Sequence, residues 1–293
     1  DSFNYRPQYW QLRTRNGAVT EECTDLATDD DVELLATLYR PLDAPVLVVD
    51  AESAELTKNA ANAFLAMRLS FVNEIAALCE AGGASIDNVI GGLATDPRIG
   101  GDYLRPGIGY GGSCLPKDVR SLISMGRSHG LELSLPMAVD SINAAQPERT
   151  ADRLAAALDG RLADRRIALL GLAFKPGTDD IRDSPALALA EVLVRRGAQV
   201  VASDPKAADL VASRFDWITI CNDPFEAAAG ADAIVLATEW PEYVTLDYAQ
   251  LGERMRERVL LDGRNALDPG QIAGAGLEYL GIGRPSVGPL QSD

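Results

Sequence analysis

The residues best suited to covalent chemistry lie in Gly111-Gly112-Ser113-Cys114-Leu115-Pro116-Lys117-Asp118. Glycines lead into a helix whose first turn holds Pro116, where a missing N–H costs nothing. Cys114 is then expected at or just before the helix N-terminus. The positive end of the helix dipole and the nearby Lys117 both favour thiolate, the nucleophilic form. Cys114 and Asp118 are four residues apart, so one helical turn carries both. A small buried residue at a helix start is the bland alternative, and position alone favours it.

Two other groups of residues bear on a ligand. Lys58 and Asn62 share one face of a long helical segment at i, i+4 spacing. The segment is otherwise apolar, so Lys58 either snorkels to solvent or is held deliberately, and taken alone the pattern favours snorkelling. The run Gly171-Leu172-Ala173-Phe174-Lys175-Pro176-Gly177-Thr178-Asp179-Asp180-Ile181-Arg182-Asp183-Ser184 follows a strand and precedes a helix, where a doubly wound sheet binds nucleotides. It lacks the glycine fingerprint of a dinucleotide site, although Lys175 and Arg182 are suited to phosphates. The glycines at 107, 109, 111 and 112 do not make that fingerprint either, because no buried strand leads into them.

The elements that must position these residues follow from periodicity. Ser53 to Glu80 reads as one helix without Pro or Gly, closed by Gly82-Gly83 and spanning about 40 Å. Apolar residues cover most of its circumference, which predicts burial on several sides, as in a domain connector or an oligomer interface. Ser85–Leu93 and Leu115–His129 read as helices, and Pro136–Leu158 as a helix interrupted at Pro147. From Arg166 onward strands alternate with helices, the pattern of a parallel doubly wound sheet. Residues 1–30 read as polar and irregular. Val32–Tyr39 reads as a short helix and Pro45–Asp50 as a buried strand, together the end of an α/β domain.

Composition narrows the function. The 293 residues are 47% hydrophobic and 24% charged, a globular balance. With 43 acidic and 27 basic residues the net charge is −16, which argues against a nucleic-acid or bilayer surface. Cys23, Cys79, Cys114 and Cys221 are widely spaced and His129 is the single histidine, so no metal site is expected. There is no membrane-spanning stretch and no signal peptide, and free thiols suggest a cytoplasmic protein. Without an initiator Met, the chain reads as beginning inside a longer gene product.

Together these segments resemble the UDP-glucose 6-dehydrogenase family of nucleotide-sugar dehydrogenases. The resemblance rests on Ala54-Glu55-Leu56-Thr57-Lys58-Asn59-Ala60-Ala61-Asn62-Ala63-Phe64-Leu65-Ala66, on Asp96-Pro97-Arg98-Ile99-Gly100 and on the Gly109–Asp118 loop. It continues through Gly171-Leu172-Ala173-Phe174-Lys175, Ala237-Thr238-Glu239-Trp240 and Asp262-Gly263-Arg264-Asn265, over roughly residues 31–284. It implies an α/β protein in which a remnant of an NAD-binding Rossmann domain (1–50) precedes a central all-helical dimerisation domain (51–158). A Rossmann-like UDP-sugar-binding domain (159–293) follows. The implied reaction is NAD-dependent four-electron oxidation of the sugar C6 alcohol to a carboxylate through a thiohemiacetal and a thioester on Cys114. Lys58 and Asn62 would stabilise the oxyanion, and Asp118 would orient Lys58 or activate water.

The same resemblance implies substrate contacts from Arg98 across a homodimer interface on the long helix, and from Tyr110, Gly111, Lys175 and Arg264. Lys117 and Arg182 would lie near the cofactor. The family's N-terminal glycine fingerprint and its Pro-Glu-Phe-Leu segment have no counterpart in this sequence. GDP-mannose 6-dehydrogenases share the cysteine loop, but the Ala-Thr-Glu-Trp and Asp-Gly-Arg-Asn motifs favour the UDP-glucose branch. UDP-N-acetylmannosamine dehydrogenases usually carry His where this chain has Ser113. A nucleotide-sugar-binding dimer that does not oxidise its ligand is the reading outside the enzyme class.

Overall fold

The long helix predicted from its unbroken pattern is α1 (Ala51–Gly82), about 48 Å at 1.5 Å per residue. Asp50 caps it by accepting the Ser53 N–H at 2.7 Å, and Gly83 ends it at φ 73°, a left-handed position that suits glycine. A computed structural model describes residues 10–15, 18–19, 33–34, 37–38, 41 and 46–289. Cys23 lies outside them.

Ahead of α1 is a small sheet of β1 (Trp10–Arg15), β2 (Ala18–Val19) and β3 (Val46–Asp50), in the order β2-β1-β3. β1 runs parallel to β3 and antiparallel to β2. This differs from the irregular reading of residues 1–30. Alternation in Trp-Gln-Leu-Arg-Thr-Arg fades after Leu12, yet Asn16-Gly17 between the strands is a strong hairpin signal that was available.

α1 is followed by α2 (Ile86–Ala94), α3 (Leu115–Ser128) and α4 (Ser134–Ala157). α1 packs against α3 and α4 through small side chains, with Ala63 and Ala66 meeting Tyr110, Val119, Ile123 and Val139 in one core. The interruption expected at Pro147 does not occur, and α4 runs through it. The ring removes one helical hydrogen bond, but burial of Val139, Gln146, Pro147, Thr150, Ala151 and Leu154 holds the helix together. α4 also joins the two halves of the molecule: Val139 belongs to the helical core, while Ala151 and Leu154 belong to the core of the second sheet.

That sheet has six parallel strands in the order β6-β5-β4-β7-β8-β9. They are β4 (Arg166–Leu170), β5 (Gln199–Ser203), β6 (Thr219–Ile220), β7 (Ala233–Leu236), β8 (Val259–Asp262) and β9 (Glu278–Gly281). The interleaved helices are α5 (Pro185–Arg195), α6 (Ala208–Arg214), α7 (Pro224–Ala228), α8 (Pro241–Val244), α9 (Tyr248–Arg254) and α10 (Pro269–Gly274). Numbered within the sheet, the order is 3-2-1-4-5-6, the arrangement whose ligand crevice lies where the winding reverses, between β4 and β7. Among the described residues no helix is long and apolar enough to cross a membrane.

Candidate active site

Cys114 is the N-cap residue of α3 and is exposed, whereas Cys79 is buried and Cys221 half-buried. Burial, with Glu226 adding, pushes the Cys221 thiol above its ordinary value. The glycines before Cys114 let its loop approach other backbone. A Cβ at Gly111 would stand 2.0 Å from the Asp183 carbonyl oxygen, and one at Gly112 would stand 2.6 Å from the Phe174 ring. Gly112 N–H donates to the Arg182 carbonyl at 2.9 Å, so the cysteine loop is docked on the 180–184 segment of the second half.

One turn below Cys114, Asp118 is 1% exposed. Asn62 donates to its Oδ2 at 2.5 Å, the Lys58 ammonium lies 4.0 Å from the same oxygen, and Lys117 is 2.9 Å from Oδ1. Lys58 is thus turned toward a buried carboxylate rather than left to snorkel. Arg182 makes a two-pronged ion pair with Asp180; that pair above all, with the nearby Cys114, raises its guanidinium. The structure therefore brings Cys114, Asp118, Asn62, Lys58, Lys117 and Arg182 together. The arrangement offers an exposed thiol, cations and an amide of the kind that can stabilise an oxyanion, and a carboxylate held in one orientation.

The remaining predicted residues are spread around this cluster. Tyr110 is buried with Ala63 and Ala66 of α1 and Val119 of α3, where burial above all, with Asp140, pushes its hydroxyl up to about 12. Arg264 pairs with Glu239 at 2.7 Å and donates to the Gly109 carbonyl at 3.2 Å, tying the crevice to the cysteine loop. Burial pushes the Glu239 carboxyl up, but Arg264 more than offsets this and holds it below its ordinary value. Lys175 is exposed, with its ammonium 5.3 Å from the Phe174 ring centre. Arg98 is exposed and pairs with Asp96. Arg68 of α1 donates to the Ile99 and Gly100 carbonyls, each at 2.8 Å, which fixes the turn carrying Arg98 beside the long helix.

Asn143 is a residue that sequence reasoning missed. Its amide accepts the Tyr110 N–H at 2.9 Å and donates to the Tyr110 carbonyl at 3.0 Å, clamping the start of the cysteine loop. Nothing in its sequence neighbourhood marks it. Among the described residues no three His, Cys, Asp or Glu side chains are grouped to hold a metal.

Comparison with known proteins places this geometry. The model of the UDP-glucose/GDP-mannose dehydrogenase family central domain matches residues 52–145, and that of the family's UDP binding domain matches residues 168–269. The chain belongs to this family. It is 43% identical over 265 residues to a UDP-glucose 6-dehydrogenase of Pseudomonas aeruginosa, covering 87% of this chain and 58% of that protein. It is 40% identical to the enzyme of the same name from Rhizobium meliloti, covering 86% and 59%. A UDP-glucose dehydrogenase from the hyperthermophilic archaeon Pyrobaculum islandicum superposes with a TM-score of 0.77 at 37% identity, covering 88% of this chain and 57% of that one. The chain thus spans less than two thirds of the relatives it matches.

Members of this family use NAD. The described residues do not fit a dinucleotide. The glycines at 107, 109 and 112 lie in a loop after α2, with no strand leading in. In the turn after β4 the backbone N–H and C=O groups of Leu172 and Ala173 are already taken by side chains.

Proposed function

We propose that this chain supplies the nucleotide-sugar site and the reacting thiol of a UDP-glucose 6-dehydrogenase, which oxidises the C6 alcohol of UDP-glucose to a carboxylate in two NAD-dependent steps. The observation that carries this reading is the exposed Cys114 at the start of α3, one turn above a buried Asp118 held by Asn62 with Lys58 alongside. In this reading the Cys114 sulfur attacks the C6 aldehyde carbon, and a C–S bond forms as the carbonyl π bond opens. Lys58 and Asn62 stabilise the resulting oxyanion, which takes up a proton to give a thiohemiacetal. At the thioester stage water attacks the same carbon, the C–S bond breaks and the thiolate leaves. Asp118 orients Lys58 or takes the proton from that water. Lys175 and Arg264 face the nucleotide sugar, and Lys117 and Arg182 the cofactor.

A second copy of the chain is proposed to cover α1. Phe64, Phe71 and Leu78 are 57%, 46% and 67% exposed and recur every seven residues along one stripe. Arg68 lies on the same side and holds the Arg98 turn beside it, which supports a role for Arg98 at the partner's substrate.

The test uses UDP-6-aldehydoglucose, which needs no oxidation to react. Intact-mass spectrometry should show one adduct, mapped to Cys114 and absent in Cys114→Ser, and calorimetry should show UDP-glucose binding. NADH formation by the chain alone should be negligible, since the described residues form no cradle for a dinucleotide. A folded chain that neither binds UDP-glucose nor forms the adduct would overturn the proposal. Binding without an adduct would leave the reading of a non-oxidising nucleotide-sugar dimer.

A further inference from the structure

At the ligand crevice of a doubly wound sheet, the first turn ordinarily offers its N–H groups to phosphate, and an acid at the end of the second strand bonds a ribose. Here the first strand is β4 and the second is β5. The residue after β5 is Asp204, which is 4% exposed and points inward, toward the turn. Its Oδ2 accepts the N–H groups of Leu172 at 2.7 Å and Ala173 at 3.0 Å, and the Trp240 indole N–H at 3.1 Å. Its Oδ1 accepts the N–H groups of Lys206 at 2.9 Å and Ala207 at 2.7 Å. The carbonyls of the same two turn residues are also taken. Ser184 donates to Leu172 O at 2.6 Å and Thr238 donates to Ala173 O at 2.7 Å. All four backbone polar groups of residues 172 and 173 are therefore satisfied within the chain.

We propose that Asp204 is a built-in anion. It occupies the place a ligand's phosphate would take on the β4 turn, closes that turn to phosphate and fixes it so that Lys175, two residues on, presents its ammonium to the nucleotide. The domain then holds its nucleotide by side chains at the rim rather than by a backbone cradle. Asp204 is a positioning residue in this scheme. It acts through the turn, and five N–H donors converging on one buried carboxylate leave its side chain no part to spare for a ligand.

The experiment removes the anion and returns it. Asp204→Gly in the full chain leaves the five donors facing a space the size of a small carboxylate. Melting temperature and UDP affinity are read in formate and in chloride at equal ionic strength. In chloride the variant should melt lower than the native chain and bind UDP at least about tenfold more weakly, the scale of a lost charge-assisted contact. Formate should raise its melting temperature saturably and restore UDP binding, while leaving the native chain unchanged. If the variant folds only in formate, the same conclusion holds. If formate and chloride act alike, or the variant folds in neither, the proposal is overturned.

Asp204→Asn keeps the shape and fills the space. It should bind UDP more weakly without responding to formate, and native affinity in that variant would overturn the role of the charge. The UDP arm rests on the nucleotide-sugar reading above. A native chain that fails to bind UDP would sink that reading, while the formate-dependent melting of Asp204→Gly would still decide the role of Asp204.

Discussion

The turn that ends in Cys114 and the turn that ends in Lys175 both use glycines packed too closely for any other residue, yet they are held by different means. Gly111 rests on the Asp183 carbonyl and Gly112 donates to the Arg182 carbonyl, so the cysteine turn is braced by backbone from the other half of the molecule. Gly171 sits at φ 102° with its hydrogen facing Thr238, and the residues after it are fixed by Asp204, Ser184 and Thr238 of the same sheet domain. The first turn depends on two regions staying together; the backbone of Leu172 and Ala173 in the second is held from within its own sheet domain, although the Phe174 ring lies against Gly112. Damage at the first should therefore show in the thiol, and damage at the second in nucleotide binding.

The largest effect is expected from Gly111→Ala. Its Cβ would fall 2.0 Å from a backbone oxygen that cannot swing aside, so one of the two segments must move. A loss of about 3 kcal/mol is expected in urea unfolding, together with a changed rate of Cys114 alkylation in the folded fraction. An unchanged midpoint and rate would show that the two halves are not locked at this point.

Gly171→Ala comes next, because its Cβ would lie 2.4 Å from the Thr238 Cβ at a positive φ. We expect about 2 kcal/mol of destabilisation and weaker UDP binding, with Cys114 alkylated at the native rate. If the thiol responds as strongly as the nucleotide site, the contrast between the turns fails.

Cys114→Ser should leave stability within about 0.5 kcal/mol, as at most exposed positions, while removing the residue that iodoacetamide labels first. Peptide mapping of the native chain should find Cys114 ahead of Cys79, which is buried, and of Cys221, whose thiol burial pushes up. Earlier labelling of Cys23, Cys79 or Cys221 in folded protein would remove the basis for the thiol assignment.

The smallest effect concerns the strut between the two turns, Arg264 with Glu239. The Glu239 carboxyl is held below its ordinary 4.5, so its contribution is present above that pH and fades as the pH falls through its lowered folded value. Native and Glu239→Gln melting curves should differ by about 1 kcal/mol or less near pH 6 and converge as the pH falls below that ordinary value. A gap that widens on acidification would reverse the sign.

Much of this was legible because local rules and tertiary structure agree. The unbroken run to Glu80 followed by Gly82-Gly83 gave α1 within two residues at either end, and the βα alternation after Arg166 gave the parallel sheet. Cys114, between glycines and a first-turn proline, was placed at the helix start by spacing alone. What spacing could not give was any partner distant in sequence. The bond between Asn62 and Asp118 crosses 56 positions, and the Asn143 clamp on Tyr110 crosses 33. Pro147 misled because its cost is local whereas the burial that offsets it is not. Asp204 was within reach, since an acid directly after the second strand is a recognised position, but its inward direction shows only in three dimensions.

The far edge of the six-stranded sheet has a practical consequence for anyone cutting or tagging the molecule. β9 pairs with β8 on one side, and on the other, among the described residues, only Val287 comes back, exchanging both backbone hydrogen bonds with Tyr279 at 2.8 and 3.0 Å. Those few residues act as a selvedge that keeps the open row of N–H and C=O groups from pairing with a neighbour. A fusion placed after residue 288 leaves the selvedge intact. Trimming the chain back to Arg284 would unpick it, and concentration-dependent clumping should then appear well before any loss of the sheet itself.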